Sequence, residues 1–400
     1  MRSRKTASDT EGPTNSDISG AESHPGSALF CELAGVIAAL AEHEGLRSFT
    51  LPYPSAAQRA LDRTVLHCLQ LGEAPPRSLP ELWEWCRWRS AGDSLFQVPA
   101  SLVTPDATLV HPVGLAPTRT CFELTSHMPE GGVEREARVL LAGLSARCGS
   151  TEQYQRCRRF LACHPVVHQQ DRFAGGWSKA VWSRVKEFYR PLPESLLAGG
   201  TFLNCLVCGL PALLRDRKVP DQGAPVAGPD TWCEGEVCPH GERLGLIRDP
   251  DRSWLLRRGL RAFLALPRRV EETALDRLDR AGIGYEALPD GLGTYRLRGT
   301  RTGSRHIQVY DRVQPALLAA RCIERKTSLP DLMLVVVAQR FADCHDYRGS
   351  FTAALPDELR DRVLLTGLRD LAHHAVAQSA FGVHEGKAPD STEGAEGDHA

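Results

Sequence analysis

Two short cysteine pairs could do chemistry in this sequence. Cys205-Leu-Val-Cys208-Gly209 is followed, 25 residues beyond Cys208, by Cys233-Glu-Gly-Glu-Val-Cys238. A C-x2-C-G turn aims two thiolates at one point, and the glycine lets the backbone curl behind them. Two such turns facing each other give tetrahedral sulfur ligation, which suits zinc. The segment between them, GLPALLRDRKVPDQGAPVAGPDTW, is too polar and too rich in Pro and Gly to fold without a staple. The second pair is spaced by four residues and not two, so His240 is an alternative ligand to Cys238. Four protein ligands close the coordination sphere, so a metal held here is expected to organise structure and not to catalyse. The alternative is a loop of unligated thiols. The other nine of the 13 cysteines lack a partner spacing and read as core thiols.

The second candidate is the stretch Tyr295 to Pro315, YRLRGTRTGSRHIQVYDRVQP. Tyr295 and Leu297 alternate with Arg296 and Arg298, TRTGS breaks the run, and Ile307, Val309 and Asp311 resume a period of two. A helical run, PALLAARCIERK, follows at once. Metal-dependent nucleases use strand, turn, strand and helix to present an acid on one strand and an acid-x-lysine on the next. Period two puts that acid and lysine on one face, where they hold magnesium and orient the attacking water. Here the second strand offers Gln308-Val309-Tyr310 and the first offers Arg296. Glutamine is a weak magnesium ligand, a phenol with a pKa near ~10 is a poor lysine, and a guanidinium repels the ion. Glu324-Arg325-Lys326 spells acid-x-lysine, but on a helix residues two apart point to opposite sides. Glu286, Asp290 and Asp311 read as solvated turn acids, while Glu271 on the preceding helix could face the same cleft.

The elements that must position these residues divide by composition. The chain has 400 residues, a formal net charge of −1, and ordinary apolar and charged fractions, so basic surfaces must be local. Residues 1–27 are Ser, Gly, Pro and charge and are expected to be disordered, as is the acidic tail 382–400. Residues 28–199 read as a helical N-terminal region, with PSAAQRALDRTVLHCLQLG amphipathic and Ser78 and Glu81 at capping-box spacing. Trp83, Trp85 and Trp88 read as core anchors before base-stacking platforms. QYQRCRRFLACHP and WSKAVWSRVKEFY mix arginine, lysine and aromatics, more commonly a solvated face than a nucleic-acid contact. Residues 200–244 form a zinc-ribbon-like insert, and 245–381 an α/β domain whose best buried strand is LMLVVVA. The fold class expected is therefore α+β and multidomain.

No apolar run is long enough for a membrane span, and the N-terminus lacks a signal-peptide core, so a cytoplasmic protein is expected. Thirteen cysteines fit a reducing compartment better than a disulfide framework. The sequence contains no G-x4-G-K-[ST], H-E-x-x-H or G-x-S-x-G pattern, and His373 and His374 lack a placed acid or nucleophile.

Taken in order, several stretches resemble restriction-endonuclease-related proteins associated with prokaryotic PIWI-RE, which occur in three-gene defence islands beside a PIWI-type protein and a DinG-type helicase. The resemblance rests on FTLPYPSAAQRALDRTVLHCL, RSLPELWEWCRWR, the CLVCG and TWCEGEVC pairs, and LLRRGLRAFLALPRRVEETALDRLDRAGIGYEALPDGLGTYRLRG. It continues into QVYDRVQPALLAAR and covers roughly residues 28 to 350. It implies a restriction-endonuclease-like fold with the second-strand acid at Gln308, the lysine at Tyr310, first-strand acids at Gly293 and Arg296, and the helix glutamate at Glu271. The frame is kept and nearly every catalytic position is lost. The leading expectation is a binding subunit without cleavage. It would contact DNA or an RNA–DNA hybrid through Arg296, Arg298, Arg301 and Arg305, and meet the PIWI-RE protein and the helicase. An enzyme with migrated residues would instead bind magnesium, through Glu271 together with Asp290 or with Glu324 and Lys326. A purely structural scaffold is the third reading.

Overall fold

A computed structural model of the chain describes residues 24–41, 52–127, 132–169, 178–219, 230–238, 244–288, 292–298, 305–326 and 332–377. The first helix, α1 (Pro25–Leu40), is apolar nearly all round and runs through the N-terminal core, burying Leu29, Phe30, Leu33, Ile37 and Leu40. His24 Nδ1 accepts from Gly26 N at 3.2 Å, and Pro25 occupies the first turn, where its missing N–H costs nothing. A Cβ on Gly26 would come within 2.2 Å of Leu95 O, so only glycine lets the helix lie flush on that loop. Pro25–Ser27 are thus ordered by a cap and a core, not part of the disordered stretch expected over 1–27.

Against α1 pack α2 (Ser55–Leu71), α4 (Arg119–Thr125) and α5 (Gly132–Arg147), with α3 (Leu79–Trp88) on α2 and α6 (Thr151–Cys163) on α5. Helix α2 ends on Gly72 at φ 74°, a left-handed cap. Ser78 Oγ accepts from Glu81 N, and Glu81 reaches back to Arg77 N and not to Ser78 N. Trp83 is buried and Trp85 meets Phe96 edge-on at 5.4 Å, whereas Trp88 is 60% exposed and stacked on Arg87.

Short strands interrupt the region expected to be helical. After helix α7 (Lys179–Val185), β2 (Tyr189–Pro191) joins β1 (Val166–His168) in a three-stranded antiparallel sheet. Its central strand is β8 (Ser253–Leu256), from beyond the cysteine segment. Runs of three residues carry no readable period, which is why sequence alone misses them. Strand β4 (Thr201–Cys205) pairs with β3 (Leu197–Ala198), β5 (Pro211–Leu214) and β7 (Leu244–Ile247), and β5 pairs with β6 (Thr231–Cys233).

The C-terminal domain begins where α8 (Arg258–Leu260) runs into a π-helical turn, Arg261–Ala265, and then into α9 (Arg268–Arg280). An antiparallel meander follows: β9 (Tyr285–Ala287), β10 (Thr294–Leu297) and β11 (Arg305–Val309). Helix α10 (Pro315–Lys326) crosses over to β12 (Met333–Val337), parallel to β11, and β13 (Val363–Gly367) adds a parallel strand. Between β12 and β13 lie α11 (Gln339–Asp343), α12 (His345–Ala353) and α13 (Asp357–Arg360), and α14 (Leu371–Ala377) closes the domain. Strand period sends Tyr295, Leu297, Ile307, Val309, Leu334 and Val336 to the face that packs with Val270, Ala274 and Leu278 of α9 and Leu371 and Ala375 of α14. Met333, Val335 and Val337 go to the other face, with Leu318, Ala319 and Cys322 of α10 and Tyr347 and Phe351 of α12. Both faces of β12 are dry, as its continuous apolar run requires.

Candidate metal centre and the hairpin

The two cysteine pairs converge. One Sγ from each of Cys205, Cys208, Cys233 and Cys238 lies within 4.8 Å of all the others. A tetrahedral ion with metal–sulfur bonds of about 2.3 Å needs sulfurs roughly 3.8 Å apart, so the cluster fits a bound metal after small adjustment. Its geometry follows from the strands. Cys205 ends β4 and Cys233 ends β6, and each strand then turns sharply. Gly209, at φ 75°, donates its N–H to Cys205 O at 2.8 Å. Glu236, at φ 54°, donates to Cys233 O at 2.8 Å. A Cβ on Gly235 would stand 3.1 Å from Cys238 Sγ and 3.2 Å from Cys208 Sγ, so the second knuckle keeps glycine where a side chain would crowd the ligands. His240 lies outside the described residues.

In the hairpin, Gln308 and Tyr310 share a face, as period two demands. Tyr310 Oη donates to Gln308 Oε1 at 2.7 Å, a neutral pair fully buried from solvent. Glu271 does not join them. It sits across the sheet, where Tyr295 Oη donates to its Oε1 and Arg158 Nη2 reaches it at 2.7 Å. Burial and the Glu271 charge push the Tyr295 phenol well up, and Glu271 holds the Arg158 guanidinium charged against burial. The cause of the separation is register: Tyr295 pairs with Ile307 and Thr294 with Gln308, so helix glutamate and second-strand position face opposite ways.

Of the migrated set, Glu324 is held by His127 and Arg321, while Asp290 and the Lys326 side chain lie outside the described residues. Of the hairpin arginines, Arg296 and Arg298 are exposed, with Arg298 3.7 Å from Glu286. Arg301 and the Arg305 side chain fall outside the described residues.

Just past β11, the segment Asp311–Gln314 is sealed by the N-terminal helices. Glu123 of α4 accepts Val313 N at 2.8 Å and Gln314 N at 2.9 Å, fixing the two residues that lead into α10 from another part of the chain. Glu134 of α5 gathers Arg138 at 2.5 Å, Arg312 at 2.6 Å and Arg321 at 3.2 Å with its side chain only 2% exposed. Burial alone would raise the Glu134 carboxyl, but Arg312, Arg321 and Arg138 outweigh it and hold it well below the ordinary range. Glu123, with weaker compensation, is pushed up by burial. Arg119 completes the junction: Nη1 donates to Gly235 O at 3.3 Å, while Nη2 donates to Asp311 O and lies 3.2 Å from Asp311 Oδ1. No local pattern marks these residues. The one signal is that Arg119 and Glu123 are the sole charges in a seven-residue helix that is buried throughout.

Fold and site together define a mixed α+β protein with helices toward the N-terminus, sheets toward the C-terminus, and a four-cysteine cluster able to hold a metal ion. Residues 29–168 match the family model of the pPIWI_RE three-gene island domain Y, which associates the chain with the pPIWI_RE defence island. The match takes in α1 to α6 and leaves the cysteine cluster and the C-terminal sheet outside it. No curated protein and no solved structure matches the chain. Among the described residues, no helix is long and apolar enough to cross a membrane.

Proposed function

We propose that this chain is a non-cleaving accessory subunit of the island, built on a restriction-endonuclease-like domain that holds nucleic acid and partner proteins. The single observation that carries the reading is the neutral Gln308–Tyr310 pair at the acid-x-lysine positions. Such a pair binds magnesium poorly and supplies no cation to polarise a phosphate. The order helix, three antiparallel strands, crossover helix and parallel strand supports the nuclease-like frame. The four cysteines are assigned a structural zinc, since an all-thiolate, closed coordination sphere favours that ion. The protein partners assigned are the PIWI-type protein and the DinG-type helicase of the island, and magnesium enters only if cleavage survives.

Among the described residues of the hairpin, Arg296 and Arg298 are exposed cations, and they are assigned to phosphates. Binding to duplex DNA and to an RNA–DNA hybrid, measured across a salt series, is expected to weaken as salt rises. In R296E/R298E the salt slope is expected to drop by roughly 2. An absence of binding, or binding indifferent to salt, contradicts the nucleic-acid assignment and leaves the scaffold.

A further inference from the structure

Three parts of the chain meet at Arg119. It starts α4 in the helical region. Its backbone N donates to Glu236 Oε1 at 3.0 Å and its Nη1 to Gly235 O, both inside the loop that spans Cys233 to Cys238. Its Nη2 holds Asp311 at the exit of β11, with side chains of 4% and 8% exposure. Arg340, at the start of α11, adds a second cation to Asp311 at 3.3 Å. One turn along α4, Glu123 carries the N–H groups of Val313 and Gln314. The loop that would wrap a metal, the helix that holds the entry to α10 and the strand that carries Gln308 are therefore linked by one guanidinium.

We propose that metal occupancy of the four-cysteine site sets the docking of the C-terminal domain onto the helical region, with Arg119 as the positioning residue that transmits it. The first part of the loop from Cys233 to Cys238 is anchored without a metal: Arg261 holds the Glu234 carboxylate at 2.7 and 2.9 Å, and Glu234 N donates to Pro211 O at 2.9 Å. Beyond Glu234 lies the part that Arg119 touches, Gly235 and a left-handed Glu236, shaped by the turn bonds Glu236 N to Cys233 O and Val237 N to Gly235 O and by the two cysteines at the loop's ends. With those thiolates on a metal, Gly235 O and Glu236 stand fixed, and Arg119 is oriented toward Asp311. Without the metal the loop relaxes, Arg119 loses two of its anchors, and the guanidinium no longer presents a set fork to Asp311. The cost falls on the junction because Arg119 is buried, and a buried cation with fewer partners drives the surfaces apart to reach water. The proposal rests on the reading that the cysteines hold a metal, and it adds a consequence at residues that touch none of them.

Amide hydrogen exchange on the full chain separates the two. In the wild type, stripping the metal with a chelator is expected to speed exchange at Val313 and Gln314 by about tenfold or more, while Leu334 to Val336 of β12 stay protected. In R119A, which leaves all four cysteines in place, metal content is expected to match the wild type, Val313 and Gln314 to exchange fast from the start, and the chelator to add little. D311N, which removes the charge from the far arm and leaves the Asp311 O acceptor in place, is expected to shift both readouts in the direction of R119A by a smaller amount and covers the case in which R119A fails to fold. Purified protein without bound metal overturns the metal reading itself. Unchanged protection at Val313 and Gln314 on stripping overturns the coupling alone. So does an equal acceleration by chelator in D311N and wild type, or a loss of protection in β12 as large as at the junction.

Discussion

Replacing Glu134 by glutamine is expected to destabilise the protein by about 3–5 kcal/mol, the range for removing one partner from a buried charge cluster. The change is almost isosteric, so packing is not what is lost. Arg312 and Arg138 each stand within 2.6 Å of this carboxylate and Arg321 within 3.2 Å. Without the negative charge, Arg312, Arg138 and Arg321 lose the carboxylate they share, while Arg321 keeps Glu324. Equilibrium denaturation checks this, and a midpoint unchanged from wild type contradicts it. The same carboxylate carries a pH signature. Its folded pKa lies below the ordinary value, so its contribution is fully present above about pH 4.5 and is lost as pH falls through the folded value. Wild type is therefore expected to lose stability on acidification below that point more steeply than E134Q. Pairing E134Q with R312M is expected to cost less than the sum of the two, because the second change removes one of the stranded cations.

The second large effect concerns the zinc proposed for the four cysteines. Strands β4 and β6 end on cysteines, and β3 to β7 are strands of two to five residues whose hydrogen bonds alone do not sustain a sheet in water. Apparent metal-binding energies of about 10–16 kcal/mol are typical where closed thiolate sites organise short peptides. C208S is expected to lose bound zinc and to open residues 197–247 to protease. C163S, a cysteine outside the cluster, is expected to retain both metal and resistance. Metal analysis beside limited proteolysis reads both. Full metal content in C208S, or an intact ribbon without metal, contradicts the assignment.

Particular residues show how far the chain could be read in advance. The cysteine cluster was legible because ligand spacing is local: a C-x2-C-G turn says where its sulfurs point before any tertiary contact exists. The hairpin and the dry strand LMLVVVA were legible because period two and an unbroken apolar run are also local. The relation of Glu271 to Gln308 was not. It depends on which face each strand turns to the flanking helices, and a shift of one residue in register exchanges the faces. The junction of Arg119, Glu123, Glu134 and Arg312 was not legible either, because each residue finds its partner more than 100 positions away. Buried ion pairs of that kind have no periodicity to betray them. The three-residue strands β1 and β2 escaped for want of length. Their partner β8 was read as a strand of the C-terminal domain, yet it pairs back across the cysteine segment into the region read as helical.

A hairpin with the neutral Gln308–Tyr310 pair at the acid-x-lysine positions is expected not to cut. Incubating the purified full chain with radiolabelled duplex DNA and with an RNA–DNA hybrid, each with Mg²⁺, with Mn²⁺ and with chelator, tests it most directly. The expected result is intact substrate in every lane, from protein that binds the same substrates with a salt-dependent affinity. Cleavage that requires the divalent ion and disappears in E271Q would show a working centre, and the account would be wrong.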